Sequence, residues 1–298
     1  MDPVIFLIQV LNGVQYGLLL FLVASGLTLI FGIMGIINLA HGSFYMIGAY
    51  LAFSLTRLHG NFWVALAAGV VIAVAIGAAL EWLVMRFLYQ RDHLYQVLLT
   101  YGLILIFEEL RSLVWGDDVH GVAVPQGLDF SIPLTDNLSY QTYRLVISAI
   151  CLAIAFGMYW LIQRTRLGMM IRAGAVNREM VQSLGIDIGL LYRLVFALGV
   201  ALAAFAGMIA APVSSVFPGM GAQVLIICFV VVVIGGIGSV KGALAAALLI
   251  GLVDTFGKVL HFEVGGFRVL PELAGMSIYL LMTVVLLWRP EGLFGKRL

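Results

Sequence analysis

The sequence predicts an all-α fold, a polytopic transmembrane helical bundle of about eight spans, with broken or re-entrant segments and a short helix on the cytoplasmic side. Three observations carry this. Of 298 residues, 63% are hydrophobic and 10% charged, whereas soluble domains carry about 25% charged residues. No Asp, Glu, Lys or Arg occurs between Asp2 and Arg57, nor between Arg193 and Lys241. A helix needs roughly 20 apolar residues to cross about 30 Å of hydrocarbon, and each run exceeds that. A β-barrel would show alternating segments of about ten residues; here the apolar runs are continuous and rich in Leu, Ala and Gly.

In chain order the spans are expected at 4–33, 39–56, 62–85, 95–115, 143–162 and 192–211, followed by units at 224–257 and 272–288. Met1-Asp2-Pro3 lacks the basic flank of a cleaved signal peptide, so the first span is expected to be retained. The first unit is punctuated by Gly32, Gly35 and the stretch Asn38 to Gly42. The 224–257 unit is too long for one helix and is interrupted at Gly235-Gly236-Ile237-Gly238 and Lys241-Gly242. It fits either a pair of spans or a helix that enters, breaks and returns. Non-helical backbone at membrane depth survives only inside protein or beside a cavity. Both breaks share a Gly-x-x-Gly step and a His or Lys before Gly, and paired interruptions can mark a transport site between internal repeats. Glycine is common in this chain, with 34 copies, so chance similarity stays open.

Arg164, Arg166, Arg172 and Arg178 cluster in one loop, Arg86 and Arg91 in another, and Arg289, Lys296 and Arg297 at the C-terminus. The 116–141 loop carries Asp117, Asp118, Asp129 and Asp136 and neither Lys nor Arg. The positive-inside rule then puts the N-terminus outside, that loop outside and the C-terminus in the cytoplasm. This orientation requires the 224–257 unit to go in and come back.

The 163–191 segment is the longest cytoplasmic stretch. Val176, Met180 and Leu184 recur at four-residue spacing, which predicts one helical face across 176–184, with Gly185 as its stop. The residues alone leave docking and headgroup contact equally open for this helix. Intramembrane ionisable residues are functional candidates, but Glu81 lies near Arg86, and Glu108/Arg111 and Asp254/Lys258 have the spacing of helical pairs. His41, beside Asn38, is the polar site of most interest; a pathway role and a structural bond to a freed carbonyl both fit. Gly13/Gly17 and Ala203/Gly207/Ala211 suit close helix contact. Cys151 and Cys228 lie in apolar runs, against a disulfide or metal site.

A net charge of +1 gives no reason to expect nucleic acid. Walker A, HExxH and G-x-S-x-G motifs are absent, so the sequence predicts neither an enzyme, nor a cofactor, nor an autonomous pump.

The stretch Gly26-Leu27-Thr28-Leu29-Ile30-Phe31-Gly32-Ile33-Met34-Gly35-Ile36-Ile37-Asn38-Leu39-Ala40-His41-Gly42, continuing to Ile47-Gly48-Ala49-Tyr50, closely resembles the branched-chain amino-acid ABC transporter permease family, and the LivH-type subunit in particular. Val233 to Gly242, the stretch around Arg172-Ala173, Asn177 and Leu184-Gly185-Ile186, and the ending Trp288-Arg289-Pro290-Glu291-Gly292-Leu293-Phe294-Gly295 extend that resemblance over nearly the whole chain. Met180 and Val181 are bulkier than the Ala many relatives carry there. The resemblance implies a single integral membrane permease domain over 1–298 in the inner membrane, importing hydrophobic amino acids by alternating access. It implies two ATP-binding-cassette ATPase subunits, a second permease of LivM type and an external substrate-binding protein. The expected coupling residues are Arg172, Val176, Asn177, Glu179, Met180, Leu184 and Gly185. Candidate pathway or gate residues are Asn38, His41, Gly42, Gly235, Gly238 and Lys241. A urea or amide importer, an ion-coupled secondary transporter using Asp254 or His41, and a non-transporting membrane subunit are the competing expectations.

Overall fold

The computed structural model describes residues 3–89, 91–135, 138–259, 263–264, 267–268 and 275–295. Asp136, Lys296, Arg297 and the start of the 272–288 unit lie outside them. The helices are α1 (Pro3–Met34), α2 (His41–His59), α3 (Phe62–Leu83), α4 (His93–Trp115), α5 (Thr142–Arg164), α6 (Arg166–Val176), α7 (Arg178–Ser183), α8 (Ile188–Ala210), α9 (Met220–Gly235), α10 (Val240–Val259) and α11 (Ser277–Trp288). A 3₁₀ turn, Met85–Leu88, follows α3. Strands β1 (Ser131–Thr135) and β2 (Leu138–Gln141) form an antiparallel hairpin, and Glu263–Val264 pairs with Phe267–Arg268.

Five helices, α1, α3, α5, α8 and α10, are long and apolar enough to cross a membrane. Helices α9 and α11 are apolar but shorter. Beyond Tyr16 helix α1 is almost wholly apolar on every side, and 89% of its most hydropathic window is buried, against 22% for α5. An all-round apolar helix belongs at the centre of a bundle. Helix α1 accordingly packs on α10, α8, α5 and α9.

Glycines set how closely these helices approach. A Cβ at Gly17 would lie 2.7 Å from the Ala247 carbonyl oxygen, and one at Gly13 would meet Gly251 and Leu252. Helices α1 and α10 therefore run antiparallel in backbone contact. Gly48 abuts Ala204 and Gly207 abuts Tyr45, which locks α2 to α8 in the same way. The expected small-residue packing at Gly13, Gly17 and Gly207 is what the structure shows.

The 224–257 unit resolves into two helices, α9 and α10. Helix α9 ends in a left-handed turn, with Gly236 at φ 95° and Gly238 at φ 79°. Ser239 then accepts the Gly242 N–H through its hydroxyl (3.1 Å) at the start of α10. The chain thus turns back on itself. The C-terminal stretch closes this corner: Leu293 and Phe294 donate their N–H groups to the carbonyls of Ile234 (2.8 Å) and Gly235 (3.1 Å). These are carbonyls that a helix end leaves without intrahelical partners.

The ion pairs depart from expectation at one place. Glu108–Arg111 (3.4 Å) and Asp254–Lys258 (2.6 Å) form as their spacing predicts. Arg111 also reaches Asp117 (2.7 Å), and its hydrogen bond holds that carboxylate below the usual range. Glu81, however, pairs with Arg193 of α8 (3.0 Å) and accepts from the Tyr89 hydroxyl. Arg86 instead lies over the rings of Trp82 and Phe87. The reason is geometric: Glu81 is 1% exposed and faces α8, while Arg86 sits beyond the end of α3. Glu81→Gln is expected to destabilise the protein by about 1–2 kcal/mol, discounted because Arg193 is half-exposed. Thermal unfolding in detergent would read that loss.

Candidate functional site

A cavity of about 460 Å³ lies near the β1–β2 end of the bundle. Small-molecule sites typically occupy about 300–1,000 Å³. Helix α1 supplies one wall through Gln9, Asn12, Gln15, Tyr16, Leu19, Leu20 and Val23. These residues recur at three- and four-residue steps, hence on one helical face. They grade from amides near the N-terminus to aliphatic side chains deeper in. Arg144 of α5 enters from one side, and Asp254, Thr255 and Lys258 of α10 from another. Ser214, Phe217, Met220, Gln223 and Val224, from the α8–α9 connection and α9, add a further wall, and Tyr45 of α2 joins the lining. That connection is held by a two-way backbone bridge between His120 and Val216, both bonds 2.8 Å.

The polar groups of the lining are unevenly satisfied. Arg144 donates to the Asn12 side-chain oxygen (3.1 Å). Asp254 is nearly buried, with its Oδ2 taken by Lys258, whose side chain is 60% exposed. Lys258 also lies over the Tyr16 ring. Gln15 is 4% exposed, and its amide has no hydrogen-bond partner among the described residues.

The expected pathway residues sit elsewhere. His41 is fully buried at the start of α2, its Nε2 3.0 Å from the carbonyl oxygen of Val23. Nε2 must carry the proton to donate there, which leaves Nδ1 as an acceptor, and it has no partner. Val23 lines the cavity, so His41 stands behind the floor rather than in the lining. Asn38 caps the same break through Oδ1, accepting the Ala40 N–H (3.1 Å), and its Nδ2 is unpartnered. Gly42 lets α2 cross the start of α9 at Gly221.

Gly235 packs against Gly242, and Gly238 against Gly32, at the opposite end of α1 from the cavity. The two breaks therefore do meet, at Gly32 and Gly238. Their His and Lys do not match in environment: His41 is buried, whereas Lys241 is exposed, its ammonium over the Tyr159 ring (5.4 Å). Cavity, His41 and the Gly32–Gly238 contact follow one another along α1.

The 163–191 segment lies at that glycine end, and its helix begins later than the 176–184 periodicity suggests. Val176 closes α6, and Asn177 leaves helical geometry (φ −152°, ψ 99°) to cap α7 by accepting the Met180 N–H (2.9 Å). The 176–184 helix is thus only Arg178–Ser183, because an Asn side chain competes for the backbone there. Val176, Met180 and Leu184 are all exposed, at 78%, 64% and 75%. Val181 is buried and anchors α7. Arg172 reaches back to the Ile162 carbonyl at the end of α5. Glu179 is exposed, and Gly185 turns the chain toward α8 at φ 84°.

Sequence reasoning did not single out Gln9, Asn12, Gln15, Arg144 or Gln223. A signal was present: three amides at three-residue steps inside a charge-free run.

Residues 9–286 match the family model described as branched-chain amino acid transport system / permease component. The chain is similar to the high-affinity branched-chain amino acid transport system permease protein BraD of Pseudomonas aeruginosa, at 31% identity over 98% of this chain and 96% of the relative. It is 30% identical to the corresponding permease protein LivH of Escherichia coli, with the same coverage of both chains. It is 29% identical to the Escherichia coli permease protein LivM, over 90% of this chain and 66% of that one. With a bundle built on backbone-close glycine contacts and a family match running almost end to end, the chain belongs to the branched-chain amino acid transport system permease family.

Proposed function

We propose that the protein is the membrane-spanning permease subunit of an ATP-binding-cassette importer that moves branched-chain, hydrophobic amino acids inward. The carrying observation is the end-to-end family match, residues 9–286. In this reading the α6–α7 end faces the cytoplasm, because Arg86, Arg91, Arg164, Arg166, Arg172 and Arg178 collect there, while Asp117, Asp118 and Asp129 lie toward the other end. The N-terminus is then outside and the C-terminus inside.

The mechanism is alternating access. The cavity faces outward and receives the amino acid from an external binding protein. His41 behind its floor and the Gly32–Gly238 contact close the route to the cytoplasm. One of the importer's two ATPase subunits docks on α6–α7, where Val176, Met180 and Leu184 offer uncovered apolar area beside Arg172, Asn177, Glu179 and Gly185. A second permease, of LivM type, completes the membrane unit. A partner can shift the access equilibrium only by interacting differently with the two states. A helix docked in a moving subunit supplies such a difference.

Asn38, Gly42, Gly235 and Lys241 belong to the two breaks that frame the inner half of this route. Reconstitution of the whole importer tests the reading. Leucine uptake is expected to require ATP and to persist with an uncoupler. Uptake that collapses with the uncoupler and ignores ATP would instead assign an ion-coupled transporter. Uptake of urea without leucine would assign the amide-importing alternative.

A further inference from the structure

We propose that the cavity is a headgroup site for a zwitterionic α-amino acid, with the substrate carboxylate on Arg144 and the substrate ammonium on Asp254. The proposal rests on the importer reading above and adds the residues that would grip the substrate.

Arg144 has no acidic partner among the described residues. Its side chain donates one hydrogen bond among the described residues, to a neutral amide, Asn12 (3.1 Å). A guanidinium carries five N–H donors in a planar fork suited to a carboxylate, so most of its donor capacity is free. Arg144 lies at the first turn of α5, partly buried in the cavity wall, with its fork turned to a single neutral acceptor.

Asp254 offers the complementary charge. Lys258 occupies Oδ2 (2.6 Å), and Oδ1 has no hydrogen bond with the described residues. A carboxylate accepts about four hydrogen bonds, so a substrate ammonium can add to Oδ1 without displacing Lys258. The nearly buried Gln15 amide, also without a partner, supplies a further polar contact.

The spacing fits. Asn12, which holds Arg144, and Tyr16, which lies beside Lys258, are one turn apart on α1, about 6 Å along its axis. Arg144 and the Asp254–Lys258 pair thus meet the cavity at neighbouring turns of one α1 face. Leu19, Leu20 and Val23 continue the same face deeper into the bundle. A ligand with carboxylate and ammonium on one carbon and an aliphatic side chain matches all three features. A simple carboxylate would leave Asp254 without a counter-charge, and urea, which can hydrogen-bond to both groups, would neutralise neither.

The test uses the complete importer in lipid vesicles, supplied with saturating leucine-loaded binding protein. Uptake in R144Q is expected to fall about tenfold or more, the scale of a lost charge-assisted hydrogen bond. R144K, which keeps the charge but not the fork, is expected to recover part of it. The double variant D254N/K258Q separates ligand contact from pairing. If Asp254 serves only to neutralise Lys258, removing both charges restores uptake; if it binds the ammonium, uptake stays impaired. Stimulation of ATP hydrolysis by the binding protein reports assembly in every variant.

A second measurement needs no variant. A leucine analogue with a side-chain diazirine, irradiated in the wild-type complex, is expected to label Leu19, Leu20 or Val23. Wild-type uptake in either R144Q or D254N/K258Q, or labelling wholly outside the cavity, overturns the headgroup site and leaves the importer reading intact. Absence of ATP-dependent leucine uptake in the wild-type importer overturns that reading instead.

Discussion

Gly207→Leu is expected to abolish assembly of the bundle. Helices α2 and α8 cross in backbone contact, and even a single Cβ at Gly207 would run into the carbonyl group of Tyr45. From the other side, a Cβ at Gly48 would strike the backbone of Ala204. No side-chain rotamer relieves a collision between a Cβ and a neighbouring backbone, so the helices must separate. Separation undoes the packing of Phe44 on Phe196 and of Ala49 beside Gly207, both buried. Helix association in lipid rests on close van der Waals contact rather than on a hydrophobic driving force, so lost fit is not recovered elsewhere.

The expected destabilisation is about 4–5 kcal/mol or more, at the extreme of single substitutions and comparable with a typical total stability of about 5–15 kcal/mol. Membrane abundance and monodispersity on size exclusion report it. Gly102→Leu is the control. Nothing lies within 4 Å of a Cβ there, so this variant is expected to stay within about 0.5 kcal/mol of wild type. Equal loss in both variants would remove the packing explanation.

Met180→Asp is expected to uncouple transport while leaving the permease folded. Met180 is 64% exposed, and α7 is held by Val181 beneath it and by the Asn177 cap, neither of which the substitution touches. In the docked complex the thioether would be buried in an ATPase groove. Full burial of a Met side chain is worth about 1.5–3 kcal/mol, and an aspartate there adds the penalty of an unpaired buried charge. Affinity for the ATPase subunits should therefore fall about 100-fold or more, with leucine uptake near background. Co-purification with the ATPase subunits and vesicle uptake are the two readouts. If both survive intact, α7 is not the docking element. Val181→Asp is expected to differ in kind, because it buries a charge inside the permease itself and would lower its abundance.

The spans were legible because lipid imposes a strong condition on composition: long stretches without charge admit few structures other than a helix. The boundaries at Phe62 and Trp115 follow from local signals, Asn61 accepting the Trp63 and Val64 N–H groups and Gly116 closing α4. The break at 35–40 was legible for the same reason, since Gly35 (φ 66°) and Asn38 are residues that leave helical geometry readily. The 176–184 periodicity locates a helix and its stop at Gly185 but not its start, because Asn177 leaves helical geometry to cap α7 and Val176 falls in α6. Spacing suggests Arg86 as the neighbour of Glu81, but spacing beyond the helix end carries no direction, and Glu81 faces Arg193.

What the sequence by itself determined is the multi-span helical class, the two glycine breaks and the family. Each depends on local composition or on residues contiguous in the chain. The cavity was decided only by tertiary structure. Its charges come from Arg144 and Asp254, 110 positions apart in the chain, and neither has an unusual neighbourhood in sequence. They share a cavity because Gly13, Gly17 and Gly251 bring α1 and α10 into backbone contact, while Asn12 engages Arg144 from the same helix. The physical reason is that charge-free runs announce themselves residue by residue, whereas a binding site exists only where separate helices are packed closely enough to share it.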